Sequence, residues 1–207
     1  INPYLRQVNV SLPPVPHNPD GSPPVTLLST GLRDVQTPGM LLGTNSGTYF
    51  LSTRPGAAPQ SIAPWAVDGA VFADGSGTVA LARKKPDDHY QLLLTTTTSP
   101  GGTHTALPIH GRVLALAAHV PTEQLAVCYE SGTTSRLEVL SAKYPNEPGN
   151  LVREGALGLG LRPFSTSGGM LAFVEDVNDG LGRAVVQSLT NPNDHTAIGP
   201  AFNVIWR

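Results

Sequence analysis

Charge is the first thing this 207-residue chain has little of: Asp, Glu, Lys and Arg make up 14% of it, and the net charge is −2. No basic stripe exists to neutralise a run of phosphates, which excludes a nucleic-acid footprint. The one basic cluster, Arg83-Lys84-Lys85, is followed at once by Asp87-Asp88. Cysteine is nearly absent. Cys128 stands alone, so an intrachain disulfide is excluded, and its place in an apolar run marks a buried, inert thiol. No apolar run approaches the roughly 18 residues that span a bilayer as a helix, and no signal-peptide pattern is present. No stretch keeps a 3.6-residue apolar period between caps, so essentially no α-helix is expected. Catalytic signatures are scarce as well. There is no Gly-x-Ser-x-Gly elbow, phosphate-binding glycine loop, dinucleotide fingerprint, Cys-x-x-Cys or His-x-x-x-His. No cofactor or bound metal is therefore expected.

Turn residues and short apolar runs are what the chain does have. The 22 glycines and 20 prolines make up about a fifth of it, while 40% apolar residues make it too hydrophobic to be disordered. That composition predicts an all-β protein with many turns. One tetrapeptide organises the rest. Val79-Ala-Leu-Ala82, Leu125-Ala-Val-Cys128 and Leu171-Ala-Phe-Val174 start 46 residues apart (79, 125, 171). Each follows a Gly-rich or polar turn, and each leads through a polar loop to a second extended run. A period of 40 to 46 residues with four strands per period predicts the blades of a β-propeller. The expected units are 25–63, 65–108, 110–154 and 157–199, followed by a final strand over 201–206. Residues 1–24 hold one strand near Val8, then the extended connector Pro13–Pro24, where proline permits neither helix nor central strand. A β-sandwich is the competing architecture, disfavoured because the units look alike.

The repeats resemble those of WD40-like and TolB-like propellers over about residues 25–207. Phe72-Ala-Asp-Gly-Ser-Gly-Thr-Val-Ala-Leu and Phe164-Ser-Thr-Ser-Gly-Gly-Met-Leu-Ala-Phe carry the resemblance: an apolar first strand, a turn, an apolar second strand. The Ser-Pro-Asp-Gly of such repeats survives only in Ala73-Asp-Gly75, and no Trp-Asp dipeptide closes a third strand. The resemblance implies an architecture and reaches no specific family. Three ring arrangements stay open: a fifth blade shared by Ala201–Trp206 and the N-terminal strand, membership of a longer propeller, or closure by dimerisation. The first is favoured. The start at Ile1 and the stop at Trp206-Arg207, inside an apparent strand, read as cuts.

The candidate site is positional. Loops between second and third strands emerge on one face of a propeller, and here they carry Asp87, Asp88 and His89, then Glu130, then Glu175, Asp176 and Asp179. Such carboxylates could hold a cation or a basic partner, or act as an acid–base pair on a glycoside; solvated hairpin tips are the blander reading. Asp176-Val-Asn-Asp-Gly180 loosely resembles a calcium loop, but its distal Glu is missing. His104 and His110 are too far apart in the pattern to favour a shared metal, Trp65 and Trp206 read as packing residues, and Arg112 and Arg162 are candidates to line a central channel. The expected function is a non-enzymatic interaction or scaffold propeller, with a protein partner or a homo-oligomer. A propeller hydrolase or carbohydrate-binding protein is the alternative. The compartment is read as extracytoplasmic, though one cysteine also suits the cytosol.

Overall fold

The computed structural model describes residues 26–32, 38–44, 47–52, 56–65, 67, 69–73, 77–85, 90–97, 105–107, 109, 111–144, 146–179 and 181–202. The strand near Val8, the proline-rich connector and the strand expected to run to Trp206 lie outside them. So do His104, His110, Asp87, Asp88 and His89.

Among the described residues, sixteen strands form four antiparallel sheets, each a meander of four consecutive strands. The first holds β1 (Thr26–Leu32), β2 (Pro38–Gly43), β3 (Thr48–Ser52) and β4 (Gln60–Ala63). The second holds β5 (Gly69–Phe72), β6 (Thr78–Lys84), β7 (Tyr90–Thr96) and β8 (Thr105–Leu107). The third holds β9 (Val113–His119), β10 (Gln124–Ser131), β11 (Thr134–Ser141) and β12 (Asn150–Gly155). The fourth holds β13 (Gly158–Phe164), β14 (Met170–Asn178), β15 (Leu181–Ser188) and β16 (His195–Ala201). No α-helix occurs among the described residues; a single 3-10 turn, Val120–Thr122, sits between β9 and β10. The first strands pack in succession, β1 against β5, β5 against β9, and β9 against β13. This is the blade order of a β-propeller.

The 46-residue period reappears in the hydrogen bonds. Thr97, Ala142 and Leu189 each follow a third strand, and each donates its backbone N–H to the residue before the second strand: Gly77 (3.0 Å), Glu123 (2.8 Å) and Gly169 (3.0 Å). Those acceptors are themselves 46 residues apart (77, 123, 169).

Packing explains why the tetrapeptides alternate as they do. In a strand, successive side chains point to opposite faces. On β6, Ala80 and Ala82 face the third sheet and meet Leu125, Val127 and Tyr129 of β10. On β10, Ala126 and Cys128 face the fourth sheet and meet Leu171 and Phe173 of β14. Val79 and Leu81 of β6 turn the other way, onto Leu41, Phe50 and Ile62 of the first sheet. At the later two seams, large side chains of one sheet therefore fill the space above small ones of the sheet before it. Cys128 occupies a small-residue slot, buried as expected.

Several expectations change at strand ends. Glu130 and Glu175 were expected in loops; both lie in strands, Glu130 paired with Ser135 and Glu175 with Arg183. The hairpins are tighter than the polar composition suggests, because Ser131 pairs with Thr134 and Asn178 with Leu181. Gly132 supplies the left-handed φ of +63° for the first of these turns. Ala201, expected to open a new unit, instead closes β16 against Gly182.

Candidate functional site

The rim formed by the turns between second and third strands carries the acidic residues, and their surroundings differ sharply. Glu175 is buried, on the β14 face that looks toward the third sheet. Arg153 of β12 reaches across the seam, its Nε 3.1 Å from Glu175 Oε2, and Arg183 of β15 binds Oε1 through Nη2. The Arg153 N–H is not aimed along a hydrogen bond, so that contact is an ion pair of close charges. The Arg153 guanidinium also lies 6.0 Å from the centre of the Phe173 ring. Each Glu175 oxygen is thus engaged by an arginine, and the residue serves as a clamp between third and fourth sheets. A loop-tip reading does not apply to it.

Asp176 follows in a bulge. The β14–β15 register slips between Glu175 and Asn178, Asp176 takes φ of +56°, and Val177 donates its N–H to Ala156 O across the seam (3.0 Å). Short acidic side chains tolerate this backbone conformation better than most. The bulge turns the Asp176 carboxylate outward, where Arg183 Nη2 approaches Oδ2 at 3.4 Å. A cation is already in place where the calcium-loop reading would put one, and no trio of His, Cys, Asp or Glu able to hold a metal forms among the described residues. Asp179, with φ of +51°, stands at the hairpin tip with no ion-pair partner among the described residues. On the neighbouring sheet, Glu130 is exposed beside Arg112 (3.8 Å). Its backbone N–H binds Arg112 O (2.8 Å), and a Cβ on Gly111 would collide with its carbonyl oxygen. Arg112, just before β9, is exposed and pairs with Glu130, and Arg162 is exposed on β13.

Sequence reading missed the apolar half of this rim. Leu181, opposite Asn178, is 44% exposed, and Phe202 is 78% exposed. Gly182 pairs with Ala201, so Leu181 and Phe202 each stand one residue beyond that pair. The available signal was weak: a phenylalanine next to a predicted strand reads as core until the strand's end is known. Trp65 behaves as a packing residue, set against the core shared by the first two sheets, with the Arg83 guanidinium 4.3 Å over its ring.

No family model matches the chain, and no curated protein is significantly similar to it in sequence. Solved structures do resemble it. A chain in the crystal structure of a nidogen/laminin complex superposes with a TM-score of 0.60 at 13% identity, over 86% of this chain and 66% of that one. A putative TolB from Agrobacterium tumefaciens gives a TM-score of 0.43 at 14% identity, over 87% of this chain and 83% of that one. The present chain spans just under two thirds of the nidogen/laminin neighbour's length. The nidogen/laminin neighbour is a β-propeller, and with the four packed meanders it establishes the fold of this chain as an all-β propeller.

Proposed function

We propose that this chain is a non-enzymatic protein-interaction propeller, part of a larger assembly, that holds a partner on the rim bearing Asp176, Asp179, Leu181 and Phe202. The observation that carries the reading is Phe202, a phenyl ring 78% exposed beside the exposed Leu181. Aromatic anchors bordered by polar and charged groups make up the energetic centre of many protein interfaces. Here the border is acidic, so the fitting partner surface is apolar with basic residues around it. A protein of similar fold occurs in a nidogen/laminin complex, which is consistent with an interaction role. The hydrolase alternative loses one of its candidate acids: glycoside hydrolysis requires two carboxyl groups free to serve the substrate, and Glu175 is clamped by Arg153 and Arg183.

A photo-crosslinking residue placed at position 202 tests this in the source cells. One discrete crosslinked species is expected, either with a different protein or at the mass of a homodimer, and it should be lost when Asp176 and Asp179 are both replaced by Lys. A featureless smear, or a product indifferent to those charges, counts against the rim. Turnover in a glycan-substrate screen that vanishes in Glu130→Ala and Glu175→Ala would overturn the non-enzymatic reading.

A further inference from the structure

On the opposite rim, the third and fourth sheets part to leave a cleft of about 420 Å³. Its apolar lining side chains are Val139 and Leu189, which face the seam between the two sheets. Its single charged lining residue is Glu147, exposed and without an ion-pair partner among the described residues. Among the described residues no basic side chain lines it.

Two further polar groups are arranged but unspent. Thr122 Oγ1 donates to Gln124 Oε1 (2.6 Å) and therefore accepts from His119 Nδ1 (2.7 Å), since it has one proton to give. This relay ties down the Gln124 carbonyl and leaves its amide NH₂ for a carbonyl at the mouth of the cleft. Between the same two sheets, Gln187 is 4% exposed; its Nε2 binds Val152 O (3.2 Å) while its Oε1 has no hydrogen-bond partner. Gln187 stands two residues before Leu189, and Val152 two residues after Asn150, and both Leu189 and Asn150 line the cleft. Gln187 itself does not line the cleft, so the acidic character of the cleft rests on Glu147.

We infer that this cleft binds an extended segment of a partner protein through a lysine or arginine side chain. The aliphatic stem lies over Val139 and Leu189 while the donor-only head serves Glu147, as amphipathic cationic side chains do. The Gln124 amide takes a backbone carbonyl of the same segment. An anionic ligand is disfavoured because nothing in the lining compensates it. The site is distinct from the Leu181 and Phe202 rim and does not depend on it.

The test is an array of terminally blocked heptapeptides of varied sequence, probed with the folded chain. Retained peptides are expected to be enriched in central Lys or Arg. Binding of the best of them in solution should fall at least tenfold in Glu147→Gln and stay unchanged in Phe202→Ser. Glu147 is exposed, so its variant should melt at the wild-type temperature. No retained peptide, retention without basic preference, or binding indifferent to Glu147→Gln each overturns the proposal. Binding lost in Phe202→Ser but kept in Glu147→Gln would assign the peptides to the other rim, overturning this site while leaving the proposed function standing.

Discussion

Cys128 and Tyr129 are neighbours on β10 that point into different seams, and both hold their protons unusually tightly. Burial pushes the Cys128 thiol up to about 11, against a smaller opposing hydrogen bond from Ser135. Burial, then the Glu138 carboxylate that accepts its hydrogen bond (2.6 Å), pushes the Tyr129 phenol up to about 12. Both folded values lie above those of the unfolded chain, 9.0 and 10.0. The unfolded state therefore releases these protons first, and stability present below pH 9 is lost as pH rises through 9 to 12. Urea midpoints should be level from pH 7 to 8.5 and fall above 9, and Cys128→Ala should remove the earlier part of the fall. The ion pairs differ in the same residue-by-residue way. Glu175→Ala strands the part-buried Arg153, for an expected loss of about 3 kcal/mol. Glu130→Ala breaks only an exposed pair and should cost no more than about 0.5 kcal/mol. Equal losses in urea titrations at pH 7 would contradict the clamp.

Among the elements, the turns between first and second strands meet a tighter constraint than those between second and third. Gly168 has φ of +73°, and a Cβ there would stand 2.7 Å from His119 Nδ1 and 2.8 Å from Thr122 Oγ1. Gly132 has φ of +63° with open space around it. Gly168→Ala meets both backbone strain and a collision with the neighbouring sheet, and should cost about 2–3 kcal/mol; Gly132→Ala meets strain alone, about 1 kcal/mol. Thermal melts of the pair check this, and an equal cost would mean that the turn does not hug its neighbour. Outer strands carry a matching device. The first residue of β4, Gln60, donates its side-chain amide to Thr97 O, and the first residue of β12, Asn150, donates to Leu189 O (3.3 Å). Each acceptor directly follows the third strand of the next sheet.

At the scale of the whole molecule, stability resides in three seams of apolar side chains, and the middle strands supply most of each. β10 and β14 are buried on both faces over Leu125–Tyr129 and Leu171–Glu175, whereas no residue of β16 is buried. Hydrogen exchange should therefore be slowest in β6, β10 and β14 and fastest in β16. Protection of β16 equal to that of β14 would indicate that another surface covers it in solution.

Much of this was legible in the chain. The 46-residue spacing, the glycine-rich turns and the large–small alternation of Leu125-Ala-Val-Cys128 act through local conformation and strand periodicity, so they determined the all-β class, the four-strand repeat and the burial of Cys128. Side-chain partnerships could not be read this way, because they join residues far apart in sequence. Only the tertiary structure set Arg153 of β12 against Glu175 of β14, converting an expected acidic tip into a clamp. It also ended β16 at Ala201, leaving Phe202 in solvent, and opened a cleft on the rim away from the acidic turns. The repeat fixes which residues can face a neighbouring sheet; the packing of one sheet on the next decides which of them meet a partner and which remain free.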